Sequence, residues 1–213
     1  MGQSRRELSF KEEKRKKIFE STCEEMKKAG YEKKDLTISV LMANILAIIV
    51  MLPFTIFFMY LYISINDVIS LSIRFDLVST FKIILVVIGF AAIHELIHGI
   101  TWASFLKYDF STISYGVIWK YLTPYCTCDK PLKKWQYLIG GAMPTLILGF
   151  GLGIISIIFN YTALFFLSIA MILGGGGDFL IIIKLLCYKE LREDTLYYDH
   201  PYECGVVVFE KNV

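Results

Sequence analysis

Four long apolar runs, separated by polar stretches, set the pattern of this chain. They are Leu36 to Tyr62, Thr80 to Trp102, Tyr137 to Phe159 and Thr162 to Cys187, each 23 to 27 residues long. A bilayer core needs about 20 apolar residues in a helix, so each run predicts a membrane-crossing helix, the first kinked at Pro53. Ser4 to Asp35 is charged throughout and has helical composition, with Gly30 as its stop and only Ile18, Phe19 and Met26 as a thin apolar stripe. It predicts a solvated helix at a membrane surface, or a helix that docks a partner. Ala103 to Gln136 is rich in aromatic and β-branched residues and is broken by Pro124 and Pro131, which predicts a hairpin or irregular segment near the membrane. The tail from Tyr188 is polar and ends in the strand-like "GVVVFE". The pattern predicts an all-α polytopic membrane protein with about four transmembrane helices and a small membrane-associated β-element between the second and third. Its parts are a charged cytoplasmic segment over residues 1–35, a membrane domain over 36–187 and a cytoplasmic tail over 188–213.

Composition strengthens this picture. Of the 213 residues, 55% are hydrophobic, against about 45–50% in a soluble domain. A net charge of +2 gives no reason to expect a nucleic-acid partner. The five cysteines are scattered, form no disulfide framework, and offer only Cys126 and Cys128 as a weak metal pair. The N-terminus reads as a polar segment and not as a secretory signal. Lys107, Lys120, Lys130, Lys133 and Lys134 lie between the second and third runs, Arg74 and Lys82 follow the first, and the turn after the third carries no charge. The positive-inside rule then puts both termini and the lysine-bearing connection in the cytoplasm of a multi-pass cell-membrane protein. Trp102, Trp119 and Trp135 are expected at the membrane interface.

The chemistry sits in the second run. "FAAIHELIHGITW" holds two histidines and a glutamate among apolar residues. His94 and His98 are four apart, hence one turn apart on one helix face, and both imidazoles can reach a single cation. Neutral imidazole suits zinc. Glu95, next to the first ligand, can take a proton from a zinc-bound water. A catalytic zinc ion usually takes three protein ligands. Candidates for the third are His200, the remaining histidine, and Asp178, the one acid in the other three runs. His94 lies about 21 Å along its run and Asp178 about 24 Å along its own, so if the second and fourth runs both cross from outside to inside the two come to a similar depth. The glycines before Asp178, "GGGGD", allow close helix approach or local unwinding.

"HELIHG", "YLTPYCTCDKPLKKWQY", "GGAMPTLILG" and "DHPYECGVVV" resemble the small bacterial family labelled putative zincin peptidases, within the site-2-protease-like superfamily of intramembrane metalloproteases. The resemblance runs from about Val86 to Val208. It implies zinc held by His94, His98 and Asp178, with Glu95 as general base and a small β-element around Gly116 to Pro131 beside the site. Two features depart from the superfamily pattern: Phe179 and not glycine follows Asp178, and Thr145 follows Pro144 with no asparagine nearby. His200 and Pro144 are candidates for an auxiliary or substrate-contacting role. The expected activity is a membrane-embedded zinc peptidase acting on membrane-associated peptides or proteins. Its rivals are a non-catalytic zinc-binding membrane protein and a small transporter.

Overall fold

A computed structural model describes residues 10–66, 76–119, 123–190, 192, 194–201 and 204–211. Arg74 and Lys120, used above for orientation, lie outside them. The chain opens with α1 (Phe10–Lys28), which Gly30 ends at a φ of +84°, a conformation glycine adopts without steric cost. There follow β1 (Tyr31–Ile38), α2 (Val40–Asn66) and α3 (Leu77–Phe105). The first apolar helix therefore begins at Val40 and not Leu36, because Leu36 to Ile38 belong to a strand. Asp76 caps α3 by accepting from the Ser79 N–H at 2.9 Å.

After α3 come the hairpin strands β2 (Ile113–Ile118) and β3 (Thr123–Cys128), then the two-residue β4 (Leu132–Lys133). The third apolar helix starts as α4 (Lys134–Pro144), widens to a π-helical turn over Thr145–Gly151 and continues as α5 (Leu152–Ile158). The fourth apolar run forms two helices, α6 (Thr162–Gly174) and α7 (Gly176–Cys187), bent by 44° at Gly175. The chain closes with β5 (Leu196–Asp199) and β6 (Cys204–Lys211). Three helical segments are long and apolar enough to cross a membrane, or four if the bent pair counts as one.

An all-α architecture does not hold. Besides the hairpin there is a four-stranded antiparallel sheet in the order β1-β6-β5-β4. Its longest pairing runs from Tyr31↔Lys211 to Ile38↔Cys204, joining the two ends of the chain. Local pattern hides it for a physical reason. β1 is "YEKKDLTI", whose lysines and acids suit a sheet edge but mask a strand in a charged segment. Its partner β6 supplies the burial, with Val206, Val207, Val208 and Phe209 at or below 1% exposure. Each such side chain contributes about 1.5–3 kcal/mol on leaving water. Phe19 of α1 packs on the Tyr198, Val207 and Phe209 face, so the charged N-terminal helix covers the sheet.

The opposite sheet face joins Leu132, Tyr197, Val206 and Val208 to Trp102, Tyr137 and Leu185 of the helices. A separate core of Met51, Phe58, Tyr62, Phe165 and Ile172 lies between helices, and the Tyr62 hydroxyl meets Thr162 Oγ1 at 2.8 Å. The outward faces of α2 and α3 expose residues such as Leu41, Phe57, Ile83 and Ile88, which is the surface a hydrocarbon solvent would satisfy.

Candidate metal centre

The buried stripe of α3 is His94, His98, Gly99, Trp102 and Ala103, at helical spacing on one face. It meets α4 and the first turn of α7, which carries Asp178. Here His94 Nε2 lies 3.1 Å from Asp178 Oδ2. His98 Nε2 lies 3.2 Å from His94 Nε2 and 3.4 Å from the same Asp178 oxygen. Two nitrogens and an oxygen thus form a nearly equilateral triangle. Tetrahedral coordination with bonds of 2.0–2.1 Å requires ligand atoms about 3.3–3.4 Å apart. The triangle has the edge lengths of one face of such a tetrahedron, and the donor set fits a zinc ion. Among the described residues it is the one group of three or more His, Cys, Asp or Glu side chains within reach of a single ion.

Glycine geometry brings the elements this close. A Cβ on Gly140 of α4 would run into the Trp102 indole, and one on Gly175 would run into the Thr145 hydroxyl. The bend at Gly175 therefore sits directly on the π-helical turn and aims the first turn of α7 at the two histidines. An acid in that turn also faces the positive end of the helix. His98 is held on two further sides. Its Nδ1 is 2.8 Å from the Gly140 carbonyl, and its ring stacks on Trp102 with centroids 5.2 Å apart. Trp102 is thus buried against a site histidine, not at the interface expected for it, while Trp119 and Trp135 are exposed.

Glu95 is half-buried and lines the same cavity, about 460 Å³ in volume, within hydrogen-bonding reach of the Cys126 backbone N–H in β3. The hairpin is tied down by Asp199. One of its carboxylate oxygens accepts from the Cys128 N–H at 2.8 Å, and the other accepts from the Tyr137 hydroxyl. Burial pushes the Asp199 pKa up to about 6, against the opposing effect of these two donors and of Arg15. Arg15 reaches in from α1, buried, with its guanidinium 4.8 Å above the Tyr125 ring.

Each residue singled out in the sequence has a definite place. His94, His98 and Asp178 come together, and Glu95 adjoins them. His200 is buried in the wall of the cavity, with its ring 5.7 Å from Phe19, outside the triangle of donors. Pro144 is buried at the end of α4. Cys126 and Cys128 are free thiols in β3 that join no cluster of ligands among the described residues, and burial raises the Cys128 thiol to about 12. Sequence reasoning missed Arg15, Tyr137, Gly140 and Asp199. Gly140, Tyr137 and Asp199 fall in the segments "GGAMPTLILG", "YLTPYCTCDKPLKKWQY" and "DHPYECGVVV" that carry the resemblance, but no role was read for any of them.

Two histidines of an H-E-x-x-H turn and a distant aspartate gathered about one point, with the glutamate beside them, fit the residue pattern of a zincin-type metal centre. The chain belongs to the family described as putative zincin peptidase, whose pattern matches residues 83–191, just over half of its length. Neither the curated proteins nor the solved structures contain a match to it.

Proposed function

We propose that the protein is a membrane-embedded zinc metallopeptidase that hydrolyses peptide bonds in membrane-associated substrates. The observation that carries this reading is the triangle of His94 Nε2, His98 Nε2 and Asp178 Oδ2 with Glu95 in the same cavity. His94, His98 and Asp178 would hold the ion. A zinc ion, when bound, supplies a Lewis acid that polarises a carbonyl and acidifies water. Glu95 takes the proton of the attacking water and returns it to the leaving amine. The superfamily resemblance to site-2 proteases favours the same roles.

The hairpin supports a way of presenting substrate. The Asp129 N–H bonds Thr112 on the β2 side, while the Cys128 N–H points outward to Asp199. Alternation then turns the backbone of Cys126 and Pro124 outward, toward the cavity both residues line. Pro124, lacking an N–H, suits such an open edge. An extended substrate segment could pair with this edge and bring its carbonyl to Glu95, which a helical segment with internally bonded carbonyls could not.

The sheet supports a multi-pass topology with both termini on one side. β1 precedes α2, β4 lies between α3 and α4, and β5 and β6 follow α7, yet all four pair in one sheet. Each return to that sheet requires an even number of crossings, so α6 and α7 would cross together as one bent span. The lysine distribution favours a cytoplasmic position for the sheet side.

The test uses chelator-free purified protein in detergent. About one zinc per chain is expected, together with cleavage of unstructured membrane-derived peptides. Glu95→Gln should retain the zinc and lose turnover by about 10²–10⁴-fold, the range for a general base. Absence of bound metal would overturn the reading. Full turnover in Glu95→Gln would leave a metal-binding protein without this mechanism.

A further inference from the structure

We propose that Pro144 is a positioning residue for His98: by withholding a backbone N–H from the Gly140 carbonyl, it leaves that carbonyl free to fix the imidazole in its ligand form. The proposal rests on the metal-site reading above.

In an α-helix the carbonyl of residue 140 accepts from the N–H of residue 144. Residue 144 is proline and has no N–H. A wider turn would use the N–H of residue 145 instead. That of Thr145 is engaged with the Ala142 carbonyl. Neither donor reaches Gly140, and the chain passes into the π-helical turn from Thr145 to Gly151. A buried carbonyl without a partner is costly. Here it finds one across the helix interface, His98 Nδ1 at 2.8 Å.

The direction of that bond is forced. A carbonyl oxygen only accepts, so Nδ1 carries the hydrogen. In a neutral imidazole the lone pair then sits on Nε2. This is the nitrogen facing His94 and Asp178. The Trp102 ring, stacked at 15° to the imidazole, blocks rotation out of this position. Gly140 permits the approach, since a side chain there would collide with that same indole. An outer partner of this kind, bonded to the far nitrogen of a ligand histidine, orients the ring and raises its basicity. What is particular here is that the partner is a helix carbonyl released by a proline one turn later.

The rival is that Pro144 merely marks where the helix widens. Pro144→Ala separates the two, because it restores an N–H that can close on Gly140 in place of His98. Alanine is strongly favoured over proline inside a helix, so the substitution is not expected to unfold α4. Zinc affinity is measured by competition with a chelator of known affinity, wild type beside variant, with gel filtration in detergent as the check on folding. In parallel, ¹⁵N-histidine spectra of the metal-free proteins, recorded at a pH high enough that the imidazoles are neutral, report which ring nitrogen of each of the three histidines is protonated. His200→Ala and His98→Ala assign the signals.

The expected result has three parts: His98 is protonated at Nδ1 in the wild type, that signature is lost or mixed in Pro144→Ala, and zinc affinity falls by about 10–100-fold. Unchanged affinity in the variant would overturn the proposal while leaving the metal site standing. So would weakened affinity with Nδ1 still fully protonated, which would trace the loss to helix shape. A wild type with His98 protonated at Nε2 would overturn it without reference to any variant. A wild type that binds no zinc would overturn the metal reading and this proposal with it.

Discussion

Asp178 and His200 were the two candidates for a third ligand, and the geometry separates them. Asp178 Oδ2 closes the triangle with both imidazoles, whereas His200 stands in the cavity wall against Phe19. Asp178→Asn keeps the shape of the side chain but removes the charge that offsets a dication. It should lower zinc affinity by more than the roughly 10–100-fold expected for an outer partner. His200→Ala should retain about one zinc per chain. Zinc stoichiometry of the two variants purified in parallel checks this, and the reverse result would move the tail into the coordination sphere. At this scale much was legible. The i,i+4 histidines follow from helix geometry alone, and a lone carboxylate in an apolar run announces itself by the cost of burying it unpartnered. The roles of Gly140, Tyr137 and Asp199 were not legible, though each lies in a segment that carries the resemblance, because a glycine, a tyrosine and a tail aspartate carry no local anomaly. Their roles arise only from contacts 42 to 71 residues distant in sequence.

Among the elements, the hairpin and the sheet depend on one another through Asp199. The helices could be read from composition, because a long apolar run has few other uses. The sheet could not, since β1 is charged, β4 has two residues and β1 pairs with a strand at the far end of the chain. Asp199 sits where β5 meets β3 and α4, and burial raises its pKa to about 6 from an ordinary value of 3.8. A carboxyl with a raised folded-state pKa favours the folded state most when protonated. Its contribution is therefore fully present below about pH 4 and is lost as pH rises through about 6. Asp199→Asn mimics the protonated acid: its oxygen can accept from Cys128 while its amide donates to the Tyr137 hydroxyl. The variant should match the wild type in thermal stability near pH 4 and exceed it increasingly up to about pH 7, by at most a few kcal/mol. Melting in detergent across that pH range checks it. A difference that is constant with pH would mean that Asp199 is not the titrating group.

For the whole molecule, the sheet constrains how the helices can pass through a bilayer. Strands from before α2, from between α3 and α4, and from after α7 share one sheet, so these three segments lie on the same side of whatever the helices cross. The described lysines and arginines concentrate there as well. Lys133 lies in β4 with Lys130 and Lys134 to either side, Lys33 and Lys34 lie in β1, and Lys184 reaches from α7 to the Thr37 carbonyl at 3.0 Å. At the far end the α5–α6 turn presents only Asn160 and Tyr161, both uncharged. The candidate metal-binding residues sit between α3, α4 and α7, in a cavity that the hairpin also lines, so under the proposed function water and substrate would enter from the basic side. This arrangement can be measured directly. In a background with Cys23, Cys187 and Cys204, the thiols that are not buried, replaced, one cysteine at a time is placed at Lys133 or at Tyr161, both exposed. A membrane-impermeant thiol reagent applied to intact cells should label Tyr161→Cys and leave Lys133→Cys untouched until the cells are opened. Labelling of Lys133→Cys from outside, with Tyr161→Cys protected, would invert the molecule and put the cavity mouth on the outer face. Labelling of both from outside would mean that α4, its π-helical turn and α5 do not cross at all, and the parity that the sheet imposes would then have to be met by fewer spans.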